Sequence, residues 1–307
     1  MTKTFTRQHM RILDAAEAIR LDPDKTEAAF IARQLVQATL PHKNPGDIPA
    51  WTRKNGNLAL SIRPGWNSKK NEVIGYPYGT LPRLLLFWIT TEALKTNSPR
   101  LELGGSLSEF MRALGLNPDN GSSGAKRSDA RRLRDQMDRL FQATISFEQT
   151  REENGRGGSA WLNMQIAPEG VMWWDTRQPD QPAFWGSWIE LSKQFFQAIT
   201  AAPVPVDMRA LKALKRSPLA LDLYAWATYT AFQTQQKDQS RFVSWELLHE
   251  QFGAEYAQIR NFQTKAKAAF RKVQAVYPDL GLDFEKGGVR VLPCNPAITI
   301  KAKSIKK

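Results

Sequence analysis

The residues best placed to do chemistry are cations. Residues 257–276, "AQIRNFQTKAKAAFRKVQAV", hold Arg260, Lys265, Lys267, Arg271 and Lys272, and no acid. Ammonium and guanidinium groups at this density hold phosphate oxygens. An arginine can also pair with O6 and N7 of a guanine. Either task needs a rigid carrier. Wound at ~100° per residue, Ile259, Phe262, Ala266, Phe270 and Val273 gather on one side of a helix. Arg260, Lys267 and Arg271 gather on the other, flanked by Lys265 and Lys272. Such a helix buries one face and offers the other to an anion.

The neighbouring elements fit that task. Residues 244–253, "SWELLHEQFG", read as a short helix with Ser244 as N-cap and Gly253 as stop. Residues 281–292, "GLDFEKGGVRVL", read as two strands around Lys286-Gly287-Gly288, a hairpin that also carries Arg290. Helix, turn, basic helix, hairpin is the order of a winged helix-turn-helix. The second helix of that motif enters the DNA major groove.

The same order occurs earlier in the chain. Residues 104–116, "GGSLSEFMRALGL", give a helix capped by Ser106 and stopped by Gly115. Residues 125–141, "AKRSDARRLRDQMDRLF", give a second basic helix with Lys126, Arg127, Arg131, Arg132 and Arg134. Leu133, Met137, Leu140 and Phe141 form its apolar side. "ATISFEQT" and "AWLNMQIAP" then form a long hairpin. The marks recur at nearly the same offset, which predicts a structural repeat. Asp129, Asp135 and Asp138 dilute the charge of the earlier helix. The later copy is therefore expected to dominate sequence readout, with Arg260 and Arg271 reading bases and Lys265, Lys267 and Lys272 holding phosphate.

The expected fold class is α+β: two tandem winged helix-turn-helix domains with an N-terminal helical extension. The expected boundaries are 1–75 for the extension, 76–200 for the first domain and 201–307 for the second. In the extension, Ile12, Leu13, Ala16 and Ile19 have helical spacing, and Phe30, Ile31, Leu35 and Val36 repeat it. Residues 41–71 are irregular apart from a strand in "NLALSIRPG", and read as an arm or a strand-bearing lobe. Trp173, Trp174, Trp185 and Trp188 read as a hydrophobic seam between the domains.

Composition agrees with a binding protein. The 307 residues carry a formal net charge of +13. A strongly basic chain usually meets a polyanion. No apolar run is long enough for a membrane helix, and the N-terminus lacks the apolar core of a secretory signal. Cys294 is the single cysteine, so no internal disulfide can form, and a reducing cytoplasm is the expected location. His9, His42 and His249 are far apart, with no zinc spacing and no His-hydrophobic-His pair. "GSSGAKRS" lacks the register of a phosphate-binding loop. The expectation is no enzyme, no cofactor and no metal.

Five stretches resemble plasmid replication initiators of the RepA type: "YPYGTLPRLLLFWITTEALKT", "LGGSLSEFMRALGL", "RRLRDQMDRLFQATISF", "GSWIELSKQFF" and "VPVDMRALKALKRSPLALDLYAWATY". The likeness runs from about Tyr76 to the C-terminus. It implies binding of repeated origin sequences in double-stranded DNA, local duplex opening, and recruitment of the host initiator and replicative helicase. It also implies a homodimer in balance with a monomer. Three other functions remain at this stage: a transcriptional repressor, a nickase or primase, and a non-specific packaging protein.

Overall fold

Two helices are apolar on almost every side, so each must sit at the centre of a core. They are the runs "LPRLLLFWITTEALKT" and "PLALDLYAWATYTAFQTQQK". The computed structural model describes residues 6–22, 27–118, 129–153, 156–174, 177–182, 186–253 and 255–298. It places the two helices in separate units. The central unit is Leu40–Ala201; the other, here the terminal unit, joins Met1–Thr39 to Ala202–Lys307. The segment read as an N-terminal extension is thus divided, residues 1–39 falling in the terminal unit and 40–75 in the central one.

The chain begins in the terminal unit with α1 (Arg7–Leu21), β1 (Ala28–Ala32) and α2 (Arg33–Gln37). The second helix expected here starts late. Phe30 and Ile31 lie on β1, and only the part around Leu35 and Val36 is helical. The reason is a partner that spacing cannot reveal. Residues 203–207 pair antiparallel with β1 along its whole length, Ala28 opposite Asp207 and Ala32 opposite Pro203.

The central unit follows. It contains β2 (Trp51–Asn55), β3 (Leu58–Arg63), β4 (Trp66–Asn67), β5 (Glu72–Val73), α3 (Leu81–Thr96), β6 (Arg100–Glu102) and α4 (Leu107–Ala113). Then come α5 (Asp129–Phe141), β7 (Thr144–Glu153), β8 (Arg156–Gln165), β9 (Glu169–Val171), β10 (Trp188–Glu190) and α6 (Lys193–Ala201). Strands β2-β3-β7-β8 form one antiparallel sheet, and β6-β10-β9 form another. The region read as an arm or lobe therefore supplies two strands to the sheet that holds the long hairpin. The strand before α4 joins β10 instead of that hairpin.

Arg83 ties the loop before β2 to α3. It is 3% exposed, and its guanidinium donates to the carbonyls of Leu40 (2.6 Å), Pro41 (3.0 Å) and Gly79 (2.6 Å). Two of the tryptophans read as a seam, Trp174 and Trp188, have side-chain partners inside this unit. Trp174 lies 5.3 Å from Phe110, which meets Trp88 edge-on at 4.9 Å. Arg100 covers Trp188 at 3.9 Å, and Trp173 is exposed. Trp185 lies outside the described residues.

The chain returns to the terminal unit with β11 (Pro203–Asp207), α7 (Met208–Leu214), α8 (Pro218–Lys237) and β12 (Arg241–Ser244). It continues through α9 (Trp245–Phe252), α10 (Ile259–Val276), β13 (Leu282–Phe284) and β14 (Gly288–Val291). The sheet order is β12-β14-β13, all antiparallel. Helix α1 is fastened by Arg209, which pairs with buried Asp207 at 2.7 Å and donates to the carbonyls of Ala18 and Asp22. The hydrogen bond that Arg209 donates to Asp207 is the main reason the Arg209 pKa is raised.

Replacing Arg83 by Met keeps the stem but leaves buried carbonyls without their donor. We expect a loss of roughly 3 kcal/mol or more, read as a lowered urea midpoint. An unchanged midpoint would show that water replaces the guanidinium without cost.

Candidate nucleic-acid interface

The interface is built from the buried face of α10 outward. Phe262, Ala266, Ala269, Phe270, Val273 and Val276 are buried. Phe270 meets Trp226 of α8 at 5.8 Å and Phe284 of β13 at 5.9 Å. Trp226 also meets Phe252 of α9 at 6.4 Å. Helices α8 and α9 and the hairpin thus grip one side of α10, and the orientation of the opposite side follows.

The approach of α9 to α10 is close. Ser244 caps α9 by accepting from the Leu247 amide at 3.3 Å. The helix stops at Gly253, where an added Cβ would lie 2.6 Å from His249 Cδ2 and 2.6 Å from Phe262 Cδ2. His249 Nε2 lies 2.9 Å from the Tyr256 carbonyl and so donates to the turn, while its ring meets Phe262 edge-on at 5.3 Å. Sequence reasoning missed this strut. A lone histidine at helical spacing gives no signal until the turn brings its partner within reach.

On the other side of α10, Arg260, Lys265 and Arg271 are exposed, and Lys272 is half-buried. Among the described residues none of these four has an acidic partner at ion-pair distance. Lys267 differs: it is half-buried, and its Nζ sits 5.5 Å over the Trp245 ring. Trp245 in turn stacks on Phe284. Lys267 therefore leans toward the hairpin instead of standing clear with Arg260 and Arg271. Asn261 and Thr264 are also exposed on α10. Neither was a candidate because only charge was counted, yet an asparagine amide can pair with adenine.

In the hairpin, Lys286 is exposed between β13 and β14. Arg290 is engaged: it donates to Glu285 at 2.6 Å, and its guanidinium lies 5.4 Å over Phe242. The hydrogen bond to Glu285 raises the Arg290 pKa.

The cations of α5 are placed differently. Arg132 pairs with Asp129 at 3.1 Å and Arg134 with Asp138 at 3.5 Å. Arg134 also donates to the Met172 carbonyl. Arg131 is half-buried. Partial burial raises the Asp138 pKa, against the opposing pull of Arg134. Lys126 and Arg127 lie outside the described residues. No group of three or more His, Cys, Asp or Glu suited to a metal occurs among the described residues. Among them too, no helix is long and apolar enough to cross a membrane.

The family described as plasmid encoded RepA protein matches residues 76–247, more than half of the chain. No curated protein and no solved structure matches.

A Gly253→Ala change tests how tightly α9 must approach α10. Its Cβ meets two rings, so we expect a loss of about 1–3 kcal/mol in chemical denaturation. A neutral result would mean that the rings move aside freely.

Proposed function

The chain belongs to the family of plasmid-encoded RepA proteins, and from that premise we propose that it is a sequence-specific duplex-DNA-binding initiator of plasmid replication. In this reading α8, α9, α10 and the β12-β14-β13 sheet form a winged helix, and α10 enters the major groove. The supporting observation is the row of exposed cations on α10, free of acidic partners among the described residues and opposite a fully buried stripe. Arg260 and Arg271 read guanine edges, with Lys265 and Lys272 on phosphates. Lys267 assists from beside the hairpin, and Lys286 meets the backbone from the wing.

We read the central unit as a second, modified winged helix. Its order α4, α5, β7, β8 matches α9, α10, β13, β14, but its hairpin is extended by β2 and β3. Since Arg132 and Arg134 are held by neighbouring aspartates, α5 contributes backbone contact or pairing with another protomer more than base readout. The DNA would be the repeated sequences of the origin. Duplex opening, recruitment of the host initiator and replicative helicase, a homodimer form and a cytoplasmic location belong to the same proposal. No enzymatic step is part of it. Incubation with supercoiled origin DNA and magnesium tests that point, because nicking or primer synthesis would end it.

Competition between an origin repeat and random duplex tests specificity. Preference for the repeat by ~10³-fold or more is expected, and equal binding would favour a packaging role. Arg271→Ala should weaken binding to the repeat and relax base preference, with a cost of about 1–3 kcal/mol. Equal loss on both DNAs would make Arg271 a phosphate contact. Lys272→Ala should weaken both alike and lower the salt slope by about one; an unchanged slope would remove Lys272 from the phosphate set.

A further inference from the structure

The short hairpin β4–β5 in the central unit has no role in the proposal above. Its two strands pair Trp66 with Val73 and Asn67 with Glu72. The Asn67 side chain accepts from the amides of Lys69 (3.1 Å) and Lys70 (3.2 Å), which shapes the turn. Trp66 is 53% exposed and Val73 45% exposed. They are cross-strand neighbours, so they form one apolar patch that the central unit leaves open.

The base of the hairpin is fixed. The Ile74 amide donates to the Gly65 carbonyl at 2.9 Å. A Cβ on Gly65 would lie 2.7 Å from Gln142 Cβ and 2.8 Å from its carbonyl oxygen, just beyond α5. Gly75 has φ +94°, and a Cβ there would meet the Arg139 guanidinium at 2.9 Å. Arg139 donates to the Tyr76 carbonyl. Both strands therefore leave from the C-terminal end of α5 in a set direction. An arm rooted in this way loses little freedom on binding.

The charge around the patch is mostly positive, with Glu72 the acid on the hairpin itself. Arg63, Lys69 and Lys70 are exposed. Glu72 pairs with Lys70 at 3.6 Å, and among the described residues Arg63 and Lys69 have no acidic partner. A flat indole beside unpaired cations suits a polyanion that also presents apolar edges. Duplex DNA offers both: phosphates for the lysines, and sugar and base edges in the minor groove for an aromatic ring.

We propose that the β4–β5 hairpin is a DNA-contact arm. Trp66 lies against the minor-groove wall, and Lys69 holds an adjoining phosphate. The arm gives the central unit a grip on DNA that does not depend on the paired cations of α5. This rests on the reading of the chain as a duplex-DNA binder and adds a contact element to it.

The test uses the full-length protein on duplex containing the origin repeat, with two variants, Trp66→Ala and Lys69→Ala. Hydroxyl-radical footprinting locates backbone contacts, and guanine N7 protection reports α10 separately. Trp66→Ala should erase one short backbone footprint, leave N7 protection in place and lower affinity roughly tenfold. Lys69→Ala should remove protection at the same place and lower the salt slope by about one. Unchanged footprints and slope in both variants would overturn the proposal. If the unaltered protein protects no duplex at all, the arm and the initiator reading both fall.

Discussion

Everything about the candidate interface depends on how α10 is divided between core and solvent. Phe262, Ala266, Phe270 and Val273 are fully buried. The hydrophobic contacts of Phe270 and its neighbours fix the rotation of the helix about its axis. Once that rotation is set, Arg260 and Arg271 have nowhere to go but outward. The side chains that make no contact in the core are placed by those that do.

The central unit shows what happens when the same pattern carries acids. Helix α5 has the buried stripe Leu133, Met137, Leu140 and Phe141 and a cationic side. Aspartates three and four residues from the arginines lie on the same helical surface. They draw Arg132 and Arg134 into local pairs. Such exposed pairs stabilise little, but they occupy donors that a phosphate would need. Two helices of similar hydrophobic pattern thus present different surfaces to a partner.

Much of this was legible in one sequence. Ser106 and Ser244 sit at the N-caps expected of them, each accepting the amide three residues on. The apolar stripe of α10 and the hairpin around Lys286 were readable because both depend on local period. What escaped depends on distant pairing. Phe30 and Ile31 look helical until Pro203–Asp207 supplies a strand partner. Residues 51–55 look irregular until β3 supplies a strand partner. Lys267 looked like a free cation because spacing cannot show that Trp245 lies beneath it. Spacing likewise cannot show that Arg290, a cation of the same hairpin, is held by Glu285.

The most direct measurement is guanine N7 protection on the DNA flanking the chain's own gene, with the unaltered protein and Arg271→Ala side by side. The account predicts N7 protection at repeated positions, with one guanine per repeat exposed again when Arg271 is removed. Binding without N7 protection, or protection identical in the two proteins, would contradict the placement of α10 in the major groove.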